Sequence, residues 1–344
     1  MTRPSRATMI NEPVATASTP VRQIRDEIMR RQRFLLTSHA RPDGDSIGSQ
    51  LAMAFALDAL GKQVRIVNAD AAPEHYQDFP GMDRIEIANS ATADVDAVIV
   101  MECSDLTRAG VAGLERAFLI NIDHHGGNRL YGAVNWHDES AAACGEMVFD
   151  LIRELGVPLT LEIATHVYLA ILTDTGSFHH SNITPRTFDI CRQTVEAGVS
   201  PGAMARRVFD SNSFGKLKLI GALLDSMELA DEGRLAILYL DDAMLNACNC
   251  TNNDTEGLIN LPLTAREIQA VVFFRVGPTG EVRVSMRSKY DVDVRRVAGV
   301  FGGGGHKNAA GFTATGSLDE ARPRIIALLI EAIAHGLQSR PSDS

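Results

Sequence analysis

Short apolar runs recur through the first part of the chain, with helical stretches among them. Phe34 to Ser38, Val64 to Asn68, Ala97 to Met101 and Ala117 to Ile122 have the length and unbroken hydrophobicity of strands buried on both faces. Val21 to Arg33, Ser46 to Leu60 with its stop at Gly61, Ala141 to Leu155, Leu161 to Leu172 and Thr184 to Ala197 read as helices. Further helical stretches are expected between the later strands. Such alternation predicts an α/β fold, a doubly wound and mainly parallel sheet with helices on both faces.

Functional side chains of such sheets gather at the carboxyl ends of the strands. Four acidic and histidine clusters lie there or where an apolar helix ends: His39-Ala-Arg-Pro-Asp43-Gly-Asp45, Glu102-Cys-Ser-Asp105, Asp123-His124-His125, and Asp174 within Leu-Thr-Asp-Thr-Gly. Carboxylates and imidazoles in one site repel or desolvate one another unless a cation compensates them, so the clusters point to metal. The donors are oxygen and nitrogen, which favours Mn²⁺ or Mg²⁺, and two histidines favour manganese. His39, Asp43, Asp45, Glu102, His124 and Asp174 are too many ligands for one ion with open positions. They suit two ions sharing a carboxylate, roughly 3.5 to 4 Å apart, as in phosphoester hydrolysis. The competing reading makes Asp45 or Ser46 merely the cap of the following helix, which accounts for one polar residue and not three. Asp105 competes with Glu102 as ligand, and His179 and His180 read as lining of the site.

With 344 residues, 45% of them hydrophobic, the chain is long enough for two cores. A net charge of −10 argues against stable binding of duplex nucleic acid, which requires many cationic phosphate contacts. Five cysteines without a Cys-x-x-Cys pair fit a reduced cytoplasm. No apolar run is long enough to span a membrane, and residues 1–20 and 339–344 read as tails. Pro201 to Ala230 is expected to be a helical connector within 200–230. Beyond it come strands Leu235 to Leu240, Ala270 to Val276 and Val282 to Met286, a turn at Gly277 to Gly280, and helices Val292 to Val300 and Leu318 to Leu337. Asn246 to Asn253 is expected to be a loop. In the glycine run Gly302 to Gly305, Gly303, Gly304 and Gly305 would let backbone N–H groups approach a phosphate, with His306, Lys307 and Asn308 as donors at its end.

The order His-x-x-x-Asp-x-Asp, an acidic residue after a strand, Asp-His-His and a lone Asp resembles the DHH phosphoesterase family. Phe301-Gly-Gly-Gly-Gly-His306-Lys307-Asn308-Ala-Ala-Gly311 resembles the glycine-rich signature of the associated C-terminal domain. The resemblance covers roughly 22–337 and is greatest to the bifunctional oligoribonuclease and 3′-phosphoadenosine 5′-phosphate (pAp) phosphatase group. It implies a DHH domain over 21–199 and a smaller α/β substrate-binding domain over 231–338, facing it across a cleft. It also implies that His39 and Asp43 hold one Mn²⁺, that Asp45, His124 and Asp174 hold the other, and that Glu102 bridges where the family usually has Asp. Asp123 is expected to orient His124, and His125 to contact phosphate or donate a proton to the leaving group. Arg108, Arg287 and Ser288 match substrate-binding positions. Short RNA, pApA-like dinucleotides and pAp are the implied substrates, and a homodimer the implied assembly. A single-strand exonuclease of the family, a family pyrophosphatase and a catalytically weak nucleotide-binding regulator are the alternatives. The 6% aromatic content and acidic balance weigh against the first of these.

Overall fold

A computed structural model describes residues 19–91, 94–210, 212–255, 257–277, 280–314 and 318–338; at Thr19, Asn253 and His306 it describes the backbone only. Both expected tails fall mainly outside these residues, as does the tip of the Gly277 to Gly280 turn. The chain divides into two compact units, residues 1–211 and 212–344.

The first unit runs α1 (Thr19–Arg30), β1 (Arg33–Thr37), α2 (Gly44–Ala59), β2 (Gln63–Asn68), β3 (Ile85–Ile87), β4 (Ala97–Met101), β5 (Leu119–Asp123), β6 (Val134–His137), α3 (Cys144–Glu154), α4 (Leu161–Asp174), α5 (Pro185–Glu196) and α6 (Pro201–Phe209). Its strands form one parallel sheet in the order β3-β2-β1-β4-β5-β6. Leaving β1 in either direction reverses the order, so β1 and β4 flank a topological switch point, where such sheets form a crevice.

Strand alternation divides the apolar side chains between two faces. Phe34, Leu36, Ile99, Met101, Ile120 and Ile122 join the core built with α2, α3 and α4. Leu35, Val67, Val98, Val100 and Leu119 face the other way, against Cys103, Ala109, Val111 and Leu114. Helices on both faces were expected. The second face is instead covered by 3₁₀ turns at Leu106–Ala109 and Leu114–Arg116. Gly110 and Gly113, both at positive φ, cut these segments too short for an α-helix.

Helix α2 is buried on nearly every side and lies against α4, α3 and β2. Its buried polar residues are paired inside: Gln50 and Asn68 exchange amide hydrogen bonds of 2.7 and 3.0 Å. Close approach to α4 depends on Gly48, where a Cβ would sit 2.5 Å from the His166 carbonyl oxygen and 2.9 Å from the Ala170 nitrogen.

The second unit contains α7 (Phe214–Asp225), β7 (Glu228–Ala230), β8 (Leu235–Leu240), α8 (Asp242–Ala247), β9 (Ala270–Val276), β10 (Val282–Ser288), α9 (Val294–Val300), β11 (Gly304–His306), β12 (Ala309–Ala314) and α10 (Leu318–Gln338). The expected connector therefore resolves into α6 in one unit and α7 with edge strand β7 in the other. The expected loop at Asn246 begins inside α8. The sheet order is β11-β12-β10-β9-β8-β7, antiparallel except for β8 and β9. One face packs on α9 and α10 through Val272, Phe274, Val284 and Met286. The other packs on α7 and α8 through Leu238, Val271 and Phe273. Among the described residues no helix is long and apolar enough to cross a membrane.

Gly48→Ala should separate α2 from α4 and cost about 1–3 kcal/mol, the usual range for overpacking a dense core. Urea unfolding measures it, and an unchanged midpoint would refute this account of the helix contact.

Candidate metal centre

Each predicted ligand sits at an element end that fixes its backbone. His39 lies just beyond β1, Glu102 follows β4, His124 follows β5 and Asp174 ends α4. The cap of α2 is Asp43, whose Oδ1 accepts from the Ser46 amide at 2.9 Å, and not Asp45 or Ser46. Asp45 does cap a helix, but a distant one. Its Oδ2 accepts from the Cys144 amide at 2.7 Å and its Oδ1 from Gly145 at 3.0 Å, at the start of α3, whose own N-cap Ala143 has no side-chain acceptor. Ser49 Oγ donates to Asp45 Oδ1 at 2.8 Å.

The six predicted ligands come together. His39, Asp43 and Glu102 offer donor atoms within 4.8 Å of one another, and so do Asp45, His124 and Asp174. Glu102 also joins His124 and His125 in a third such group. His124 Nε2 lies 3.3 Å from Glu102 Oε1, 3.5 Å from Asp174 Oδ2 and 3.8 Å from Asp45 Oδ2. His39 Nε2 lies 3.6 Å from Asp43 Oδ2 and 2.9 Å from Ser46 Oγ. Both imidazoles direct Nδ1 to a backbone carbonyl, Ala40 at 2.8 Å and Ala141 at 3.0 Å, which leaves Nε2 as the atom presented to the cluster.

The residues fit a cation. Among the described residues, both carboxylate oxygens of fully buried Glu102, and Nε2 of His124, have no hydrogen-bond partner. Orphaned buried groups of this kind are rare and costly. Burial, then the charges of Asp45, Asp43 and Asp174, push the Glu102 carboxyl well above the ordinary range. Burial and Asp45 lift Asp174 to about 7, against the opposing pull of His124. Burial raises Asp45 too. Divalent charge would relieve all three.

Two expectations at this centre change, those for Asp123 and Asp105. Asp123 orients His125 and not His124: its Oδ1 lies 2.9 Å from His125 Nδ1, while His124 is held by the Ala141 carbonyl. Asp105 is no ligand, because it accepts from the Thr107 amide and hydroxyl and pairs with Arg129 at 2.9 Å. His179 and His180 are exposed beyond the left-handed turn Gly176 to Phe178, and His180 Nδ1 lies 3.3 Å from the Asp174 carbonyl. Arg108 is exposed on the turn after β4; its guanidinium donates to Ser104 Oγ and its carbonyl accepts from Ala40, tying the β1 and β4 loops together. Asn128 was missed. Its Nδ2 donates to Asp123 Oδ2 at 2.6 Å, and together with His125 it holds the Asp123 carboxyl below its ordinary value against the effect of burial. A lone Asn in a loop gives no periodic signal.

In the second unit the glycine run is not a free loop. Gly304 to His306 form β11, in register with β12. An added Cβ at Gly303 would meet the Gly311 carbonyl oxygen at 2.4 Å, and one at Gly305, φ +138°, the Ala309 oxygen at 2.4 Å. Gly304 faces open space. Ser288 Oγ donates to the Val292 carbonyl, and Asn308 Nδ2 lies 2.9 Å from Ser288 Oγ and 3.0 Å from the Tyr290 carbonyl. Lys307 pairs with Asp291 at 2.7 Å. These three side chains brace the hairpin, contrary to the expectation that they face substrate. Arg287 is half-buried, donates to the neighbouring Met286 carbonyl at 3.0 Å, and burial lowers its guanidinium below the usual range.

Residues 33–171 match the family model described as DHH family, N-terminal domain, and residues 234–335 the DHHA1 domain. A bifunctional oligoribonuclease and PAP phosphatase NrnA of Thermus thermophilus is 34% identical over 301 residues, 87% of this chain and 89% of that protein. The crystal structure of an exopolyphosphatase-related protein from Bacteroides fragilis superposes with a TM-score of 0.85 at 24% identity, covering 93% of this chain and 98% of that one. RecJ of Thermus thermophilus in complex with Mn²⁺ shares the fold at a TM-score of 0.53 and 13% identity, covering 94% of this chain and 56% of that one. With the acidic and histidine cluster on its parallel sheet, its glycine-rich hairpin domain and these matches in the same order, the chain belongs to the DHH family of phosphoesterases.

Proposed function

We propose that this phosphoesterase hydrolyses short oligoribonucleotides and pApA-like dinucleotides to 5′-mononucleotides, and pAp to AMP and phosphate, using two Mn²⁺ ions, with Mg²⁺ as the alternative. One observation carries the two-ion reading: the unpartnered carboxylate of Glu102 is shared by the His39–Asp43 group and by His124 of the Asp45–Asp174 group. The relative named for oligoribonuclease and PAP phosphatase activities supports the substrate class, and the manganese complex of RecJ supports the ion. All five cysteines are free and buried, which supports a reducing cytoplasm.

His39 and Asp43 would hold one ion, Asp45, His124 and Asp174 the other, and Glu102 both. Bound there, the ions supply Lewis-acid charge that stabilises phosphoryl oxygens and acidifies water. The protein supplies the rest. Asp123, itself fixed by Asn128, keeps the His125 ring on Nδ1, so Nε2 is the atom to meet phosphate or to hand a proton to the leaving oxygen. Arg108 and Arg287 are guanidiniums suited to non-bridging phosphate oxygens. Gly304 offers backbone that a ligand can approach without meeting a side chain.

A substrate panel of pAp, pApA, short RNA, long single-stranded DNA and pyrophosphate, with Mn²⁺, Mg²⁺ or chelator, tests the assignment. Turnover is expected for the first three and should vanish with chelator; dominant pyrophosphate or long-DNA turnover would overturn it.

Two ligand variants should part company. Asp174→Asn should lower activity by more than about 100-fold, beyond the loss typical of outer-shell changes, with the fold intact. Asp45→Ala should lose activity and also about 1 kcal/mol of stability, because the α3 cap goes with it. Equal urea midpoints for the two would contradict the capping role.

The pH response of the metal-free protein follows from Asp174. Its folded pKa, about 7, stands above the ordinary aspartate value, so its contribution is complete below roughly pH 4 and is lost as pH rises through 7. Saturating Mn²⁺ should abolish the Asp174 part of this slope, since the carboxylate is then ionised in both the folded and the unfolded states over that window. Melting temperatures measured with and without Mn²⁺ should show this, and Asp174→Asn should flatten the metal-free curve; a metal-free wild type with the same pH slope as Asp174→Asn would sink it.

A further inference from the structure

Glu102 lies in the left-handed region at φ +59°, unusual for a residue with a long side chain. Alternation along β4 gives the reason it matters. Val98 and Val100 face the apolar layer under the 3₁₀ turns, while Met101 faces the helices. An extended Glu102 would follow Val100 into that apolar layer. The left-handed turn sends its carboxylate to His39, Asp43 and His124 instead.

The turn is fastened on both sides. The Glu102 amide donates to the Ile122 carbonyl of β5 at 3.1 Å. One residue on, the Cys103 carbonyl accepts twice, from the Tyr131 hydroxyl at 2.8 Å and from Asn121 Nδ2 at 3.2 Å. Asn121 Nδ2 also lies 2.9 Å from the Tyr131 oxygen, so the amide donates to the hydroxyl and the hydroxyl to the carbonyl. Asn121 is fully buried on β5, and Tyr131 packs on the apolar layer of the second face. The Cys103 thiol donates onward to the Asp105 carbonyl at 3.0 Å. Neither Asn121 nor Tyr131 is among the six metal ligands.

We infer that Asn121 and Tyr131 are positioning residues: by gripping the Cys103 carbonyl they hold Glu102 left-handed and so place its carboxylate where both ions can share it. The inference rests on the two-ion reading. Strain of this kind persists only where surrounding bonds over-determine it, and here three bonds from β5 and the β5–β6 loop do so.

The test is Tyr131→Phe, which deletes one oxygen and leaves the ring. Metal-free protein is titrated with Mn²⁺ and free ion is counted by electron paramagnetic resonance, with a thermal melt alongside. Affinity should fall about 10- to 100-fold, the range for groups that orient ligands, while the metal-free melt stays cooperative. A crystal structure of the variant should show Glu102 displaced from positive φ. In a Glu102→Ala background the same substitution should leave the remaining affinity unchanged, since its effect passes through Glu102. Wild-type affinity in Tyr131→Phe, an undisturbed Glu102 in its crystal structure, or an undiminished loss in the Glu102→Ala background would each overturn the inference. A wild-type protein that takes up no Mn²⁺ would remove the two-ion reading and this inference with it; binding by wild type with no change in Tyr131→Phe removes the inference alone.

Discussion

Negative charge gathered in a largely buried cluster is the constraint around which the first unit is arranged. Glu102 and Asp45 are buried and Asp174 lies close by, all around one imidazole edge. Carboxylates so placed repel one another and are penalised by burial, and the fold offsets only part of this. Asp45 is satisfied by the amides at the start of α3, where the helix dipole also favours an anion. Glu102 has nothing comparable. What the protein leaves uncompensated is the charge that the proposed cations would neutralise.

The parallel architecture was legible because strands buried on both faces are continuous apolar runs. Phe34, Ile99 and Ile120 lie in the strands that their runs predicted. β3 and β6 were not legible: Ile85–Ile87 is three residues long, and Val134–His137 is an edge strand with polar residues at Asn135 and His137. The helices expected on the second face failed for a local reason, since glycines at 110 and 113 punctuate a segment whose apolar residues still suffice to cover the sheet.

At the site, residue type and order identified which groups converge, and hydrogen-bond direction decided what each does. Sequence spacing cannot tell whether Asp123 holds the first or the second histidine after it; the β5 backbone places it against the second. Nor can spacing show that Ser288 and Asn308 satisfy each other, because they stand twenty positions apart and meet only through β10 and β12. The glycines separate in the same way. Gly303 and Gly305 are fixed by packing, whereas Gly304 has room beside it.

Helix α2 has a consequence for ion choice. Wedged against two helices and the sheet, it carries Asp43 at its cap and Asp45 in its first turn. On the two-ion reading, that side would not adjust to cations of different radius. Any adjustment of bond length would fall to Asp174, the last residue of α4, and not to Glu102, whose turn is tied to β5 and the β5–β6 loop, so discrimination between the smaller, rigidly octahedral magnesium and a more tolerant ion would be decided by how far that helix end gives.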